Sequence, residues 1–291
     1  MRNHKFRKSP LGRGFRGGSL GREISVNISR ITGLPTPKSP PKRGLSKIMI
    51  TQTELLTKKG VHIQQMFGSI ARVYDLLNTL LSFNFDKSWR KFAVKVSNVT
   101  PDAKVLDVCA GTGDLAIAYS KMLNGRGKII GSDFCLEMIK LADQKLRKKN
   151  LSGKIEVLGA DTLHLPFQDN YFQVSAVAFG IRNVSDLSAG IAEMVRITVP
   201  GGRVVILEFS QPTNPLFKAI YYFYFKKILP LVGRLISRSK YNAYSYLPSS
   251  VLNFPDRYGL RAQMESCGLE DVKIYTRTLG IVTVHVGKKP A

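Results

Sequence analysis

Acidic residues are scarce in this chain of 291 residues, in which 20 Asp and Glu stand against 44 Lys and Arg, for a formal net charge of +24. Long apolar runs are also absent, since no stretch approaches the roughly 20 apolar residues that a helix needs to cross a bilayer. The sequence therefore excludes a membrane-spanning helix. Hydrophobic residues still make up 44% of the chain, which is typical of a folded globular protein. The charge excess by itself is compatible with two kinds of partner, nucleic acid and an anionic membrane surface.

Cysteine and histidine are rare as well. The few cysteines are widely spaced, which excludes a disulfide framework and a cysteine-rich zinc site and favours a reducing compartment. They are Cys109, Cys135 and Cys267. No pair of histidines has the spacing of metal ligands, so we expect no required metal. The histidines are His4, His62, His164 and His285.

The N-terminal segment differs in composition from the rest of the chain. Residues 1–50 hold twelve Lys and Arg and one acid, Glu23, together with many Ser, Gly and Pro. This composition is typical of an organelle transit peptide, and the apolar segment of a secretory signal is missing. Glycines such as Gly17 and Gly18 disfavour the amphipathic helix of a mitochondrial presequence, so a plastid is favoured over a mitochondrion. A basic arm that binds nucleic acid is the alternative. We predict a disordered plastid transit peptide over 1–48 and one domain over 49–291.

From Lys104 onward, short apolar strands alternate with amphipathic helices, which predicts a parallel sheet with helices on both faces. Strands are predicted over Lys104–Cys109, Lys128–Asp133, Ile155–Gly159, Phe172–Phe179, Arg203–Phe209, Asp271–Tyr275 and Ile281–Val286. Helices are predicted over Asp114–Leu123, Leu136–Lys149 and Leu187–Val195, with a turn at Pro200-Gly201-Gly202 before the fifth strand. Ligands of such sheets bind at the carboxyl ends of the strands.

The first of these strands runs into a glycine loop that contains Gly111 and Gly113. Glycines allow a tight turn and a close approach of a ligand to the backbone. Asp107 and Asp114 make the loop negative, which suits the ammonium group of S-adenosylmethionine better than a pyrophosphate. Gly111-x-Gly113-x-x-Ala116 also satisfies the dinucleotide pattern, so an NAD-linked oxidoreductase stays open, and Asp107 alternatively only caps a turn.

Two further acids follow neighbouring strands. Asp133 ends the second strand, where a carboxylate accepts hydrogen bonds from ribose hydroxyls. Asp161 lies just after the third strand, where an adenine edge is expected. Both acids therefore complete a predicted nucleoside site at the carboxyl edge of the sheet.

Three segments make the chain similar to a known family. They are Tyr74-Asp75-Leu76-Leu77-Asn78 with Ser82-Phe83 and Trp89-Arg90, then Phe179-Gly180-Ile181-Arg182-Asn183-Val184-Ser185-Asp186, and Pro200-Gly201-Gly202-Arg203 to Leu207-Glu208-Phe209-Ser210. With the glycine loop, they resemble the ubiquinone/menaquinone biosynthesis C-methyltransferases over about Met66–Gly287. The resemblance implies an α/β fold, the Rossmann-like fold of class I S-adenosylmethionine-dependent methyltransferases, with a seven-stranded, mostly parallel sheet and a terminal antiparallel strand.

The resemblance also implies the cofactor and its contacts. S-adenosylmethionine is expected to lie against Asp107, Gly111, Thr112, Gly113, Asp133, Asp161, Thr162 and Ala178. Many bacterial members have Ser where this chain has Ala178, so a hydroxyl contact is lost there. With a plastid leader, the resemblance is closest to the plant enzymes that methylate demethylphylloquinol (2-phytyl-1,4-naphthoquinol).

Methylation of a ring carbon places demands on the acceptor site. A quinone ring is electron-poor, so the acceptor should be the reduced quinol, whose oxyanion the enzyme must stabilise. Arg182 and Asn183 follow the fourth strand and are the catalytic candidates, with Tyr74 as a third. Arg182 is a poor base and is expected to act electrostatically or through a water. An ordinary ion pair for Arg182 and a packing role for Tyr74 are the alternatives.

A basic, aromatic insert spans residues 211–250 and lacks acidic residues. One helical face is predicted to hold Phe217, Ile220, Tyr221, Tyr224 and Ile228. Such a helix is typical of an interfacial membrane element over 216–240, and it also suits a lid for an isoprenoid tail. Packing against the protein's own core or a second subunit in a homodimer, and stacking on single-stranded RNA, are the alternatives.

The main hypothesis is therefore a plastid C-methyltransferase that acts on a prenylated naphthoquinol, peripheral to a membrane and without a nucleic-acid partner. The first alternative is the sister reaction on a polyprenyl benzoquinol in mitochondria. A basic RNA-binding protein or RNA methyltransferase is the alternative from another class.

Overall fold

The computed structural model describes residues 58–212, 214–228 and 243–291. The predicted transit peptide over 1–48 and the middle of the insert, residues 229–242, lie outside the described residues, as does His4. Two helices lead into the sheet, α1 (Lys58–Leu81) and α2 (Phe85–Val96). Within the described residues, no helix combines the length and the apolar character that crossing a membrane requires.

Seven strands form one sheet in the order β3-β2-β1-β4-β5-β7-β6. They are β1 (Lys104–Val108), β2 (Lys128–Asp133), β3 (Ile155–Gly159), β4 (Phe172–Ala178), β5 (Thr198–Phe209), β6 (Glu270–Arg277) and β7 (Val282–Lys288). Strand β7 runs antiparallel to both of its neighbours, β5 and β6, whereas the pairs from β3 to β5 are parallel. The predicted seven-stranded, mostly parallel sheet with an antiparallel last strand is confirmed.

Helices cover both faces of this sheet. They are α3 (Asp114–Leu123), α4 (Leu136–Lys148), α5 (Leu187–Ile197), α6 (Pro215–Phe223), α7 (Ala243–Leu252) and α8 (Arg257–Ser266). Side-chain caps begin several of them, because an Asn or Asp oxygen accepts from the free N–H groups of the first turn. Asp186 accepts from Ala189 N at α5, and Asn214 accepts from Phe217 N at α6.

The apolar core is split between the two faces of the sheet. Alternate residues of a strand point to opposite faces, so Val105 and Val205 belong to one cluster while Leu106 and Val204 belong to the other. A third cluster lies off the sheet and joins α1, α6 and α7 through residues such as Met66 and Tyr221. This third cluster places α1 and the insert together beside the carboxyl ends of the strands.

The structure corrects the expected turn at Pro200-Gly201-Gly202. Helix α5 continues to Ile197, and β5 already pairs with β4 at Thr198, which lies opposite Phe172. The register then shifts, so that Val174 lies opposite Arg203. Gly201 has φ 74, a left-handed conformation that glycine adopts without strain. The three residues therefore form a bulge within the strand rather than a turn before it.

Candidate active site

Seven of the eight predicted cofactor residues line one cavity at the carboxyl edge of β1, β2 and β4. Parallel register brings the ends of these strands together, with Val108 opposite Ser132 and Val177. The predicted residues that line the cavity are Asp107, Gly111, Thr112, Asp133, Asp161, Thr162 and Ala178. Gly113 does not line it. Its φ of 84 serves the turn into α3, where it is the residue before the first helical position.

Asp133 ties the glycine loop to the end of β2. Its Oδ2 accepts from Gly111 N at 2.8 Å, and its Oδ1 accepts from Cys135 N at 2.8 Å. Burial raises the pKa of Asp133 to about 6, against the lowering effect of these backbone hydrogen bonds. Each carboxylate oxygen keeps a further lone pair for a ligand, as the predicted ribose contact requires.

Asp107 lies deeper in the cavity and is 1% exposed. Its Oδ2 accepts from Ala116 N at 2.9 Å in the first turn of α3, and it also lines the cavity. Burial raises the pKa of Asp107 to about 8. A bound cation stabilises the ionised form of such a carboxyl group.

Thr112 faces a polar cluster that fastens α1 across the glycine loop. Its hydroxyl donates to Asp75 at 2.6 Å and accepts from Lys145 Nζ at 2.9 Å. Lys145 Nζ also contacts Asp75 and Asp114 at 2.5 and 2.9 Å. The hydroxyl of Thr112 is therefore already engaged by α1 and α4. Sequence reasoning missed Lys145, since nothing in its helical spacing sets it apart from its basic neighbours.

The hydrogen-bond acceptors around this first cavity fit S-adenosylmethionine. Four carboxylates line it, those of Asp107, Asp114, Asp133 and Asp161, which suits a sulfonium and an ammonium and opposes a pyrophosphate. Thr162 forms a hydrogen bond with the Cys109 thiol at 3.3 Å and lies 6% exposed beside Asp161.

A second cavity adjoins the first, and half of the residues that line it are aromatic. The insert supplies Phe217, Ile220, Tyr221 and Tyr224, four of the five residues predicted to share a helical face. Ile228 does not line it and is 39% exposed. The chain forms a π-helical turn over Tyr224–Ile228, which the sequence pattern did not indicate. The insert face is thus turned toward a cavity beside α1.

The catalytic candidates divide between the two cavities. Tyr74 lines both, Asn183 lines the first and Arg182 lines the second. Burial raises the pKa of Tyr74, which keeps its hydroxyl protonated. Asn183 Oδ1 accepts from Tyr246 OH at 3.2 Å, which links the end of β4 to α7.

Arg182 belongs to a buried ion pair that sequence reasoning did not identify. Its Nη1 donates to Glu208 Oε1 at 2.7 Å and to the Phe179 carbonyl at 2.5 Å, and its guanidinium lies 5.5 Å from the Phe209 ring centroid. Glu208 is 1% exposed, and burial raises its pKa although Arg182 opposes this. Glu208 Oε2 has no hydrogen-bond partner among the described residues. The pair therefore holds Arg182 at the wall of the second cavity.

None of the predicted catalytic or cofactor contacts involves a cysteine or a histidine. Cys109, Cys135 and Cys267 are free thiols. His285 is buried in β7 with its Nε2 at 2.8 Å from the Arg257 carbonyl, and burial lowers its pKa to about 4. His164 lies exposed at the rim of the first cavity. In the part of the chain that the structure describes, no group of three or more His, Cys, Asp and Glu side chains is placed to hold a metal ion.

Solved structures share this fold. A methyltransferase from Aquifex aeolicus that depends on S-adenosylmethionine matches 68% of this chain and 88% of its own, with 18% identity and a TM-score of 0.51. A further methyltransferase of this kind, from Thermotoga maritima, matches 77% and 98%, with 19% identity and a TM-score of 0.54. These likenesses show that the chain has the fold of such methyltransferases, and its acid-lined cavity fits S-adenosylmethionine.

The family follows from the sequence comparisons. The chain belongs to the ubiE/COQ5 methyltransferase family, whose model matches residues 54–289. The "Ubiquinone/menaquinone biosynthesis C-methyltransferase UbiE" of Geotalea daltonii is 47% identical over 80% of this chain and 99% of its own. The "Demethylmenaquinone methyltransferase" of Desulfitobacterium hafniense is 38% identical over 80% of this chain and 91% of its own. The alternative prediction of an NAD-linked oxidoreductase, which the glycine loop left open, is therefore wrong.

Proposed function

We propose that this protein transfers the methyl group of S-adenosylmethionine to a ring carbon of 2-phytyl-1,4-naphthoquinol, a late step of phylloquinone biosynthesis. The observation that carries the proposal is the second cavity, which adjoins the cofactor cavity and has aromatic walls that suit an isoprenoid tail. The names of the relatives refer to a C-methyltransferase of ubiquinone and menaquinone biosynthesis and to a methyltransferase of demethylmenaquinone. The plastid-type leader supports the phytyl naphthoquinol among such substrates.

The chain's own residues would bind and polarise the acceptor. When bound, S-adenosylmethionine supplies an electrophilic methyl group, and sulfur keeps the electron pair of the breaking bond. The quinol must first lose a hydroxyl proton, because the resulting oxyanion makes the ring carbon nucleophilic. Arg182 stabilises a quinolate oxygen, Asn183 orients the acceptor at the end of β4, and Tyr74 donates from α1.

The substrate is tested by supplying the protein with labelled cofactor and demethylphylloquinone, with and without dithionite. We expect label in the naphthoquinone only after reduction, because the oxidised ring is a poor nucleophile. Label in the oxidised quinone at the same rate would contradict the quinol mechanism. Arg182→Ala should keep the cofactor Kd and lower kcat, whereas an unchanged kcat would remove Arg182 from the mechanism.

A second candidate substrate is a polyprenyl benzoquinol. The name of the Geotalea daltonii relative includes ubiquinone biosynthesis, which supports a benzoquinone ring as the competing acceptor. A demethyl benzoquinone analogue is therefore offered beside the naphthoquinone under the same reductant. Preference for the benzoquinone would move the proposal to ubiquinone synthesis.

The plastid location is proposed on the composition of residues 1–48. A fusion of these residues to a fluorescent protein should accumulate in plastids of leaf cells, and the same fusion without the basic residues should not. Accumulation in mitochondria instead would favour the benzoquinol substrate.

Peripheral membrane contact is proposed for the mouth of the second cavity. Exposed apolar side chains surround it, including Phe83 at 72% and Ile220 at 58%, and Phe223 at 63% follows on α6. Lys227 is exposed just beyond, which favours an anionic surface. Phe223→Ser should weaken sedimentation with anionic vesicles, whereas Met122→Ser, which removes an apolar side chain that is 46% exposed on α3, should not. Equal sedimentation of both variants would contradict this contact.

A further inference from the structure

Four side chains line both cavities and therefore form the boundary between them. They are Phe67, Tyr74, Arg90 and Phe179. A methyl group that leaves a cofactor in the first cavity for an acceptor in the second must cross this boundary. The reacting ring carbon, and the oxygen bonded next to it, must then lie beside these four side chains. Arg90 is the one cation among them.

Arg90 is buried with most of its hydrogen-bonding capacity unused. It is 7% exposed, and its Nη1 donates to Asp86 Oδ2 at 2.6 Å. A guanidinium carries five N–H donors, and Asp86 is its one hydrogen-bond partner among the described residues. The guanidinium lies 5.5 Å from the Phe179 ring centroid. A buried arginine with free donors at a cavity boundary is suited to bind an oxyanion.

Asp86 holds this guanidinium in place from one helical turn away. It is 4% exposed, lines the second cavity, and its Oδ1 accepts from Ser82 Oγ at 3.1 Å. The pair is therefore anchored at the beginning of α2, and its charges compensate each other when no ligand is bound.

We propose that Arg90 binds the acceptor oxygen next to the reacting carbon and stabilises its negative charge, and that Asp86 is a positioning residue for Arg90. This role rests on the proposed function, because it requires an acceptor with an ionisable ring hydroxyl. Arg182 lines only the second cavity, so it is left to face the other oxygen of a 1,4-quinol. Two buried arginines from different elements thus match the two oxygens of such a ring.

The proton balance sets what Arg90 does. The hydroxyl proton leaves to water, and Arg90 holds the oxyanion while the ring carbon forms its bond to the methyl group. The ring carbon then gives up its hydrogen as a proton, a proton returns to the oxygen, and one proton is released overall. By stabilising the oxyanion, Arg90 lowers the pKa of the bound hydroxyl, which a merely structural arginine does not do.

The test uses the full chain with S-adenosylhomocysteine and a 3-prenyl-1-naphthol, a non-redox analogue whose single hydroxyl lies next to the unsubstituted carbon that corresponds to the reacting carbon. Its naphtholate absorbs at longer wavelength, so the pKa of the bound hydroxyl is read from a spectroscopic titration. The pKa of a free phenolic hydroxyl is about 10. A cation within hydrogen-bonding distance should lower this pKa by about 1–3 units. We expect the lowering in the wild type and its loss in Arg90→Gln.

The controls separate charge stabilisation from a structural effect. Arg147 forms a second i,i+4 pair, with Asp143 at 2.9 Å, but its side chain is 64% exposed. In the Arg147→Gln variant the pKa of the bound naphthol should therefore stay lowered. Arg90→Lys should keep part of the lowering of the naphthol pKa, because a positive charge remains. The double variant Asp86→Asn/Arg90→Gln leaves no unpaired buried charge, so it should fold and bind cofactor while it still lacks the lowered pKa.

Turnover supplies the second readout. For demethylphylloquinol, kcat of Arg90→Gln should fall by about 100-fold, as when one oxyanion donor is removed, and should recover partly at alkaline pH. A wild-type naphthol pKa in Arg90→Gln, or kcat lowered equally at every pH, would overturn the role of Arg90. A lowered pKa that depends on Arg90, without turnover of any quinol, would instead uphold that role and overturn the proposed substrate.

Discussion

The glycine at position 180 is predicted to be required because the end of β1 leaves no room for a side chain. A Cβ added to Gly180 would overlap the Cβ of Cys109 and would lie 3.3 Å from both Cys109 Sγ and Val177 Cγ2. Its φ of −116 is open to any residue, so the penalty of Gly180→Ala is steric and not conformational. The two strand ends would have to separate at the place where the cavities meet.

The expected magnitude follows from the rigidity of these neighbours. Overpacking a tight site costs about 1–3 kcal/mol, which for a domain of this size lowers Tm by about 2–12 °C. Thermal unfolding of the cofactor-free protein measures this, and calorimetry with S-adenosylmethionine should show weaker binding. Gly153→Ala is the matched control, because nothing lies within 4 Å of its added Cβ, and its Tm should hardly change.

A double variant makes the reasoning refutable. Cys109 has φ 52, a conformation that glycine adopts at little cost, so Cys109→Gly removes the clashing Cβ without straining the backbone. Cys109→Gly/Gly180→Ala should therefore recover most of the stability that Gly180→Ala loses, as coupled neighbours do in a double-mutant cycle. If Gly180→Ala were as stable as Gly153→Ala, or if the two substitutions simply added, the steric account would be wrong.

Three further predictions concern buried carboxyl groups. Asp133→Asn should weaken cofactor binding, and the cofactor affinity of this variant should rise less between about pH 5 and pH 7 than that of the wild type. The reason is that the pKa of Asp133 is raised to about 6 and only the ionised carboxylate accepts ribose hydroxyls strongly. A wild-type pH profile of the affinity, measured by calorimetry, would count against this. Asp107 has a folded pKa of about 8, above its unfolded value, so its contribution to stability is complete below the unfolded pKa and is lost as the pH rises through 8. Between about pH 4 and pH 8, the cofactor-free Asp107→Asn variant should accordingly lose less stability in thermal unfolding than the wild type. Parallel curves over this range would contradict this. Glu208→Gln leaves Arg182 buried without a counter-charge, so it should lower the free energy of unfolding in urea by about 3 kcal/mol. Glu265→Gln breaks an exposed pair and should lower it by less than about 1 kcal/mol.

Apolar periodicity was sufficient to predict most of the sheet. The structure begins and ends β2 and β3 at the predicted residues, Lys128–Asp133 and Ile155–Gly159, because these short runs are bounded by charged or glycine residues. The bulge at Pro200-Gly201-Gly202 could not be predicted in the same way. Its residues are typical of a turn, and only the pairing of Thr198 with Phe172 shows that the strand begins earlier.

The cofactor side of the site was predictable from topology, and the acceptor side was not. Asp107 lies near the end of β1, Asp133 ends β2 and Asp161 follows β3, so their shared edge follows from the strand order. Arg90 and Asp86 form an i,i+4 pair that reads as an ordinary surface pair of an amphipathic helix. Their burial arises from the packing of α2 beside α1 and Phe179, which no local pattern in the sequence records. Glu208 lies in an apolar strand, and its sequence neighbours do not indicate that it pairs with Arg182.

The first cavity is lined by carboxyl groups, and Arg90 lies where it meets the second cavity. In the first, burial raises the pKa values of Asp107 and Asp133 because it desolvates their ionised forms, which a positive counter-charge would favour. A sulfonium supplies that counter-charge, and the neutral thioether formed by methyl transfer does not. The acid-lined cavity should therefore hold the cofactor more tightly than its product, since the carboxylates lose their partner as the methyl group departs. Arg90 lies at the boundary and lowers the pKa of Asp107, so an acceptor oxyanion that engages Arg90 withdraws part of the remaining compensation. If Arg90 binds the acceptor oxygen as proposed, cofactor affinity and acceptor ionisation should be coupled through this side chain.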